Sequence, residues 1–259
     1  MIRKLFIVAG SGFVLSVACI AGATALASHD IAKNGGVWTL SEAGDKHIRF
    51  VEKTSARVEP PVTKTLAWTG GERLLVDIPA EVVYTQGATP SVTINGDKLM
   101  TDRVRLENGR LFLADGPDVR STVEFHFSSG NIEAHSNDAL KIVITAPSVK
   151  DFEIVGSSDL RISAYDQPSL DLRISGSGSA EVSGRAKALK LEISGAGEAD
   201  LRELTVEDAD INISGSGDAT IAPTGKVKVD VSGSGNVELA TRPAQLDSKI
   251  SGAGSVEQE

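Results

Sequence analysis

Ile174-Ser-Gly-Ser-Gly-Ser179 decides the fold, because variants of this phrase recur at nearly constant spacing. They are Ile154-Val-Gly-Ser-Ser-Asp159, Ile193-Ser-Gly-Ala-Gly-Glu198, Ile213-Ser-Gly-Ser-Gly-Asp218, Val231-Ser-Gly-Ser-Gly-Asn236 and Ile250-Ser-Gly-Ala-Gly-Ser255. The first glycines fall at 156, 176, 195, 215, 233 and 252, giving steps of 20, 19, 20, 18 and 19. Short alternating segments joined by glycine turns at that period predict a stacked solenoid.

Overlaying the repeats separates core from solvent. Two apolar columns precede the turn: Phe152, Leu172, Leu191, Ile211, Val229, and then Ile154, Ile174, Ile193, Ile213, Val231, Ile250. Two more follow it: Leu160, Ala180, Ala199, Ala219, Val237, Val256, and then Ile162, Val182, Leu201, Ile221, Leu239. The residues between them are polar, as in the files Arg173, Glu192, Asn212, Asp230, Lys249 and Arg161, Glu181, Asp200, Thr220, Glu238, Glu257. This period of two marks strands with one buried face. The expected fold is therefore all-β: a parallel β-helix-like solenoid with coils of about 19 residues, regular over 151–259. Coils stack at the strand spacing, about 4.8 Å. Two glycines per turn give left-handed backbone freedom and leave no Cβ to strike the next coil. The serines ahead of them, Ser175, Ser194, Ser214, Ser232 and Ser251, are expected to hydrogen-bond turn amides.

Upstream, residues 64–150 read as an irregular β-rich cap. Strand patterns occur at Leu74–Ile78, Glu81–Tyr84, Ser91–Ile94, Val104–Leu106, Arg110–Leu113, Ser121–Phe127 and Leu140–Ile144. Asn95-Gly96 and Asn108-Gly109 read as tight hairpin turns. The sole helix candidate, near Lys98–Arg105, is short and weak. Residues 28–63, ending in Pro60-Pro61, read as a lead-in, so the solenoid domain is placed at 64–259.

The first residues carry a targeting pattern. Arg3 and Lys4 precede an uncharged run from Leu5 to Ala27, and Ala25-Leu-Ala27 fits a small-x-small cleavage site before Ser28. The run is also long enough for a membrane anchor. Lipidation at Cys19 fits less well, because Ser16 stands where a lipobox takes Leu. Each alternative places the domain outside the cytoplasm, in the periplasm or at the cell surface. Cys19 is the only cysteine, so a cleaved chain has no disulfide and no thiolate metal site. The formal net charge is −9, which argues against nucleic acid as a partner. It also argues against an anionic membrane surface, leaving membrane association only through a retained leader.

The Ser-Gly-Ser/Ala-Gly turns, with Glu81-Val-Val-Tyr-Thr-Gln-Gly87, Pro90-Ser-Val-Thr93 and Ile144-Thr-Ala-Pro-Ser148 upstream, resemble the bacterial head GIN domain family. This is the putative autotransporter adhesin family, also called DUF2807. The resemblance covers about 64–257 and implies a β-helical superhelix, export to the periplasm or cell surface, and adhesion. It brings no catalytic residues. The chain departs from the pattern at Ser158, which replaces a second glycine, and at Asp77-Ile-Pro-Ala80, where a glycine turn is expected.

No catalytic, cofactor-binding or metal-binding residue is assigned. Glu181, Asp200 and Glu238 share an outward file, but Thr220 interrupts it, and the repeats offer no aromatic sugar platform, with Phe152 in the core and Tyr165 in a loop. The turn file Asp159, Ser179, Glu198, Asp218, Asn236 is too oxygen-poor for a calcium ladder. His126 and His135 flank a Ser128–Asn131 turn and read as outward strand residues. The reading is a non-enzymatic secreted or envelope scaffold that binds an extracellular glycan or protein. The alternatives are a polysaccharide-active enzyme on a β-helix and a membrane-anchored periplasmic sensor. The C-terminal coil is expected to leave either a monomer with a charged end or end-to-end or side-by-side homo-oligomers.

Overall fold

The computed structural model describes the backbone of residues 37–43, 47–52, 60–115, 122–128, 131–136 and 140–258, with side chains over 60–115 and 140–258. The first strands are β1 (Val37–Ala43), β2 (His47–Glu52), β3 (Val62–Leu66), β4 (Arg73–Asp77), β5 (Ala80–Gln86) and β6 (Ser91–Gly96). A single described helix, α1 (Lys98–Arg103), precedes β7 (Val104–Glu107), β8 (Arg110–Leu113), β9 (Thr122–Ser128), β10 (Asn131–Ser136) and β11 (Leu140–Ala146). The repeats supply β12 (Asp151–Gly156), β13 (Asp159–Gly176), β14 (Ser179–Gly195), β15 (Glu198–Gly215) and β16 (Asp218–Pro223). The last are β17 (Lys226–Gly233), β18 (Asn236–Leu239), β19 (Gln245–Gly252) and β20 (Ser255–Gln258).

Two compact units result. One contains an antiparallel sheet in the order β10-β9-β1-β2, with Leu40 opposite both Phe50 and Val123. The stretch read as a lead-in thus contains two strands. They pair with each other, and β1 also pairs with β9 some 80 residues downstream, a pairing that local patterning does not reveal. The hairpin of β9 and β10 forms as expected, with His126 opposite Glu133 and His135 opposite Glu124. The histidine side chains, like the leader, lie outside the described residues.

The second unit is the solenoid. The four apolar columns stack in parallel register, for example Phe152–Leu172–Leu191–Ile211–Val229 and Ile154–Ile174–Ile193–Ile213–Val231. These residues are all buried; Ile250, in the last coil, is 43% exposed. One side of each coil precedes the glycine turn and a second follows it. A third closes the coil through residues such as Ala186, Val206 and Pro223, stacked in turn and buried. Register shifts occur at the corner between the second and third sides, as between Ile162 and Tyr165. That corner absorbs the variation in coil length and leaves the glycine turn constant.

The solenoid also begins earlier than the repeats indicate. β4 and β5 pair in parallel with β12 and β13, so residues 73–86 form the coil beneath the first repeat. Beneath them lie β8 and β11, parallel to β4 and β5. The chain therefore lays down the second coil before the first. Antiparallel β7 on β8, β6 on β11 and β3 on β6 then finish this end as the expected irregular cap.

One local feature of the cap differs from expectation. Asn95-Gly96 is not a tight turn; β6 runs through it to Asp97, whose carboxylate accepts hydrogen bonds from the amides of Leu99 and Met100 at 2.8 and 3.4 Å. This N-cap starts α1, a helix too brief for apolar periodicity to show. Lys64 Nζ donates to the carbonyls of Thr101 and Val104 at 3.3 and 3.2 Å, satisfying the helix end. By contrast, Asn108-Gly109 makes the expected tight hairpin turn, both residues having positive φ (49° and 81°).

The glycine turns are continuous hydrogen-bonded files. The amides of Ser177, Ala196, Ser216, Ser234 and Ala253 donate to the carbonyls of Gly156, Gly176, Gly195, Gly215 and Gly233 at 2.8–2.9 Å. Turn amides are thus satisfied by the coil beneath, and the column Ser175, Ser194, Ser214, Ser232, Ser251 is exposed instead of bonding them. Only the first glycine of each turn has positive φ. The second points inward: a Cβ on Gly217 would lie 2.5 Å from Ile193 Cγ2 and 2.6 Å from the Gly197 oxygen.

Both departures from the repeat meet at one place. Ser158 is fully buried, and its hydroxyl donates to the carbonyl of Ile78. Beneath it lies the Asp77–Ala80 turn, where Ile78 is buried and Pro79 is exposed. With no glycine turn below, there is room for a side chain at 158 and a carbonyl for it to meet. Ser158→Ala is expected to cost about 1–2 kcal/mol, since the Ile78 carbonyl loses a buried donor. Urea denaturation of the variant measures this.

Candidate functional site

The two long sides of the solenoid use their outward residues differently. The side before the turns runs β7-β8-β4-β12-β13-β14-β15-β17-β19. Its charges alternate from coil to coil, as in Asp171, Lys190, Asp210, Lys228 and Asp247. Arg173 is the hub, with Asp151 and Asp171 at 2.8 Å and Glu192 at 3.2 Å. Burial opposes its charge, but the surrounding carboxylates hold its pKa above the ordinary guanidinium value. Burial likewise pushes Asp171 above the usual carboxylate range, against the pull of Arg173 and Lys190. Lys190, donating to Glu192, holds that carboxyl below its usual value. Arg110–Asp77 and Arg73–Glu153, both at 2.5 Å, extend the pattern toward the cap. These charges compensate one another within the molecule.

The side after the turns is different. It is a continuous surface of ten strand segments, β3-β6-β11-β5-β13-β14-β15-β16-β18-β20. Its central outward row reads Thr65, Thr93, Val143, Val83, Arg161, Glu181, Asp200, Thr220, Glu238, Glu257. The cap half is uncharged, and Val143 there is 39% exposed. Beyond Arg161 the row is acidic. The row nearer the turns follows suit, from Thr63 and Asn95 through the Lys141–Glu81 pair to Asp159, Ser179, Glu198, Asp218, Asn236 and Ser255.

The carboxylates considered for catalysis lie on this side. Register puts Glu181 and Asp200 on neighbouring coils, but each faces an arginine: Arg161 at 2.7 Å and Arg202 at 3.1 Å. Glu238 accepts from Thr220 at 3.3 Å. The turn file is bonded to itself: Ser179 donates to Asp159 at 2.6 Å, Asn236 to Asp218 at 2.9 Å and Ser255 to Asn236 at 2.9 Å. Among the described residues, no group of three or more His, Cys, Asp or Glu is placed to hold a metal ion.

Tyr165 is not in a loop. It lies in β13, is 1% exposed, and joins Tyr84 and Phe152 in an edge-to-face stack inside the core. Its hydroxyl donates to the Ser169 carbonyl, and that of Tyr84 to the Ala146 carbonyl. Both phenols titrate above the usual range because burial disfavours the phenolate. The turn after Ser163, where Ala164 takes a positive φ of 54°, drives the ring inward, a reversal that alternation alone does not signal.

Shallow depressions break the surface of the described residues, two of them beside charged side chains. One, of ≈ 370 Å³, is lined by residues including Ala188, Asp208, Asp210, Lys226 and Lys228. The other, of ≈ 510 Å³, lies by Lys64, Leu66, Asp102 and Arg105. Neither brings together a nucleophile, a base and an oxyanion donor. Among the described residues, the solenoid presents a long ordered surface.

Comparison with known proteins agrees with this architecture. The family model described as "Putative auto-transporter adhesin, head GIN domain" matches residues 72–243. The solved structure of a putative adhesin from Bacteroides fragilis superposes with a TM-score of 0.59 at 17% identity, covering 78% of this chain and 98% of its own. A putative lipid binding protein from Parabacteroides distasonis aligns at 19% identity over 78% of this chain and 98% of its own, with a TM-score of 0.46. At 17% identity the first likeness speaks for the fold alone. No curated protein matches the chain.

Proposed function

We propose, from the premise that this chain belongs to the head GIN domain family of putative auto-transporter adhesins, that it is a non-enzymatic adhesion scaffold. It works outside the bacterial cytoplasm, as family and leader both favour. The observation that carries the reading is the ten-strand surface, with its hydroxyl-rich half and its acidic half in strict register. A rigid β surface gives recognition groups at fixed spacing and loses little entropy when an extended ligand lies across it. The acidic half selects against anionic ligands and draws cationic groups of a glycan or protein. The opposite side serves stability, because its charges are already paired.

Arrays of glycans and extracellular proteins, probed with the full-length chain, test this reading. Binding is expected without chemical change to the ligand. Reversing Glu181 and Glu238 to lysine should weaken it by about tenfold or more, as like charges replace complementary ones. Product release from a polysaccharide would contradict the reading. Cell fractionation with N-terminal mass analysis tests the location: the protein is expected outside the cytoplasm, either beginning at Ser28 or in the membrane fraction with its leader intact.

A further inference from the structure

Among the described residues, no strand pairs with the outer edge of either β19 or β20 in the last coil. Among the described residues β19 pairs only with β17, so its outer edge presents backbone groups to solvent. Its inward residues are also incompletely covered. Leu246 is half-buried, Ile250 is 43% exposed, and Ser248 stands exposed in a column that is otherwise buried and apolar. Exposed edges of this kind pair with another strand unless something blocks them.

We infer that β19 pairs antiparallel with β19 of a second copy of this chain, about a two-fold axis at Ser248, joining two solenoids end to end. The argument is one of register. Opposite residues of an antiparallel pair share a face, so a symmetric pairing that keeps the cores aligned must centre on a residue, which faces itself. Centred on Asp247, the pairing sets aspartate against aspartate; centred on Lys249, it sets lysine against lysine. Centred on Ser248, it places Asp247 opposite the partner's Lys249 and Lys249 opposite the partner's Asp247. The same register sets Leu246 against the partner's Ile250, on the core side, and lets the two Ser248 hydroxyls meet. Charge, apolar cover and the polar residue that ends this inward column thus select the same alignment. Lys249 is available for it: its side chain is 77% exposed, and its nearest carboxylate, Asp230, lies 3.8 Å away.

The pairing closes on itself, so it gives a dimer and not a fibre. It also duplicates the polar surface within one particle, which strengthens attachment to a repetitive ligand through avidity.

Sedimentation of the full-length chain carrying Cys19→Ser, across a concentration series, tests the inference. A reversible monomer–dimer equilibrium is expected. Asp247→Lys alone and Lys249→Asp alone should each weaken it by about tenfold, since each change spoils two symmetry-related pairs. The double variant Asp247→Lys/Lys249→Asp should restore it, because the reversed charges again face each other. In the same background Ser248→Cys should form an intermolecular disulfide on oxidation, its Cβ atoms lying about 5 Å apart. Ser251→Cys should not, because its opposite residue is Gln245 and the two copies of position 251 lie about 20 Å apart. A monomer at every concentration overturns the inference. So does a dimer indifferent to the charge variants, or one cross-linked as readily through 251 as through 248.

Discussion

Gly215→Ala is expected to destabilise the solenoid by about 3 kcal/mol or more, the sum of backbone strain and overpacking. Gly215 adopts φ 125°, a conformation that side chains rarely enter. A Cβ there would also collide with the carbonyl oxygen of Gly195 in the coil beneath. Neither atom is free to retreat. The Gly195 carbonyl accepts from the Ser216 amide at 2.8 Å, and the Gly215 carbonyl accepts from Ser234 at 2.8 Å. Moving one turn therefore strains the turns above and below it. Ser216→Ala, between the two glycines, is the control; its exposed side chain should be dispensable to within about 0.5 kcal/mol. Gly252→Ala, in the last coil, should cost less than Gly215→Ala, since no described coil above it must adapt. Chemical denaturation of the three variants ranks them. Equal losses at Gly215 and Ser216 would mean that the turns do not stack as described.

Phe152→Ala should cost about 3–5 kcal/mol. The ring is fully buried at the base of the repeats, 5.0 Å from the Tyr84 ring and 6.2 Å from that of Tyr165. The tyrosines cannot collapse into the vacated space without giving up hydrogen bonds to Ala146 and Ser169. Much of the cavity should therefore persist. Phe152→Leu should lose no more than about 1.5 kcal/mol, because the next residues in its column are Leu172 and Leu191. Thermal unfolding separates the two. A loss below about 1 kcal/mol for alanine would show that the aromatic cluster is not a packed core.

Legibility in the sequence followed the regularity of the stacking. Where each coil lies on a near copy of itself, the columns at Phe152, Ile154, Leu160 and Ile162 read directly, because the period of two and the period of about 19 reinforce each other. The order of the early coils was hidden. Residues 73–86 precede 110–113 and 140–146 in the chain but lie above them in the stack, an inversion that leaves no periodic trace. β1 and β2 were hidden for a related reason, as their sheet is completed by β9 from far downstream. Helix α1 rests on one capping side chain, Asp97, and the adjoining Asn95-Gly96 points to a hairpin instead. Gly96 is there for packing: a Cβ would fall 2.8 Å from Leu140 Cδ2.

The polar surface was legible in part. The acidic file Glu181, Asp200, Glu238, Glu257 is plain once the repeats are overlaid. Its continuation into Val83, Val143, Thr93 and Thr65 is not, because those residues come from strands whose neighbours only the folded chain defines. The contrast between a side with paired charges and a side with unbalanced ones emerges from Arg173 and its three carboxylates, which are brought together from successive coils.

Spin labels on the exposed serine column give the most direct test of the stacked architecture. With one label at Ser175 and the second placed in turn at Ser214, Ser232 and Ser251, the separation should rise by about 4.8 Å per coil, reaching about 19 Å at Ser251. Distances that fail to increase in that order, or that jump by the width of a sandwich between successive serines, would contradict a solenoid of parallel coils in register.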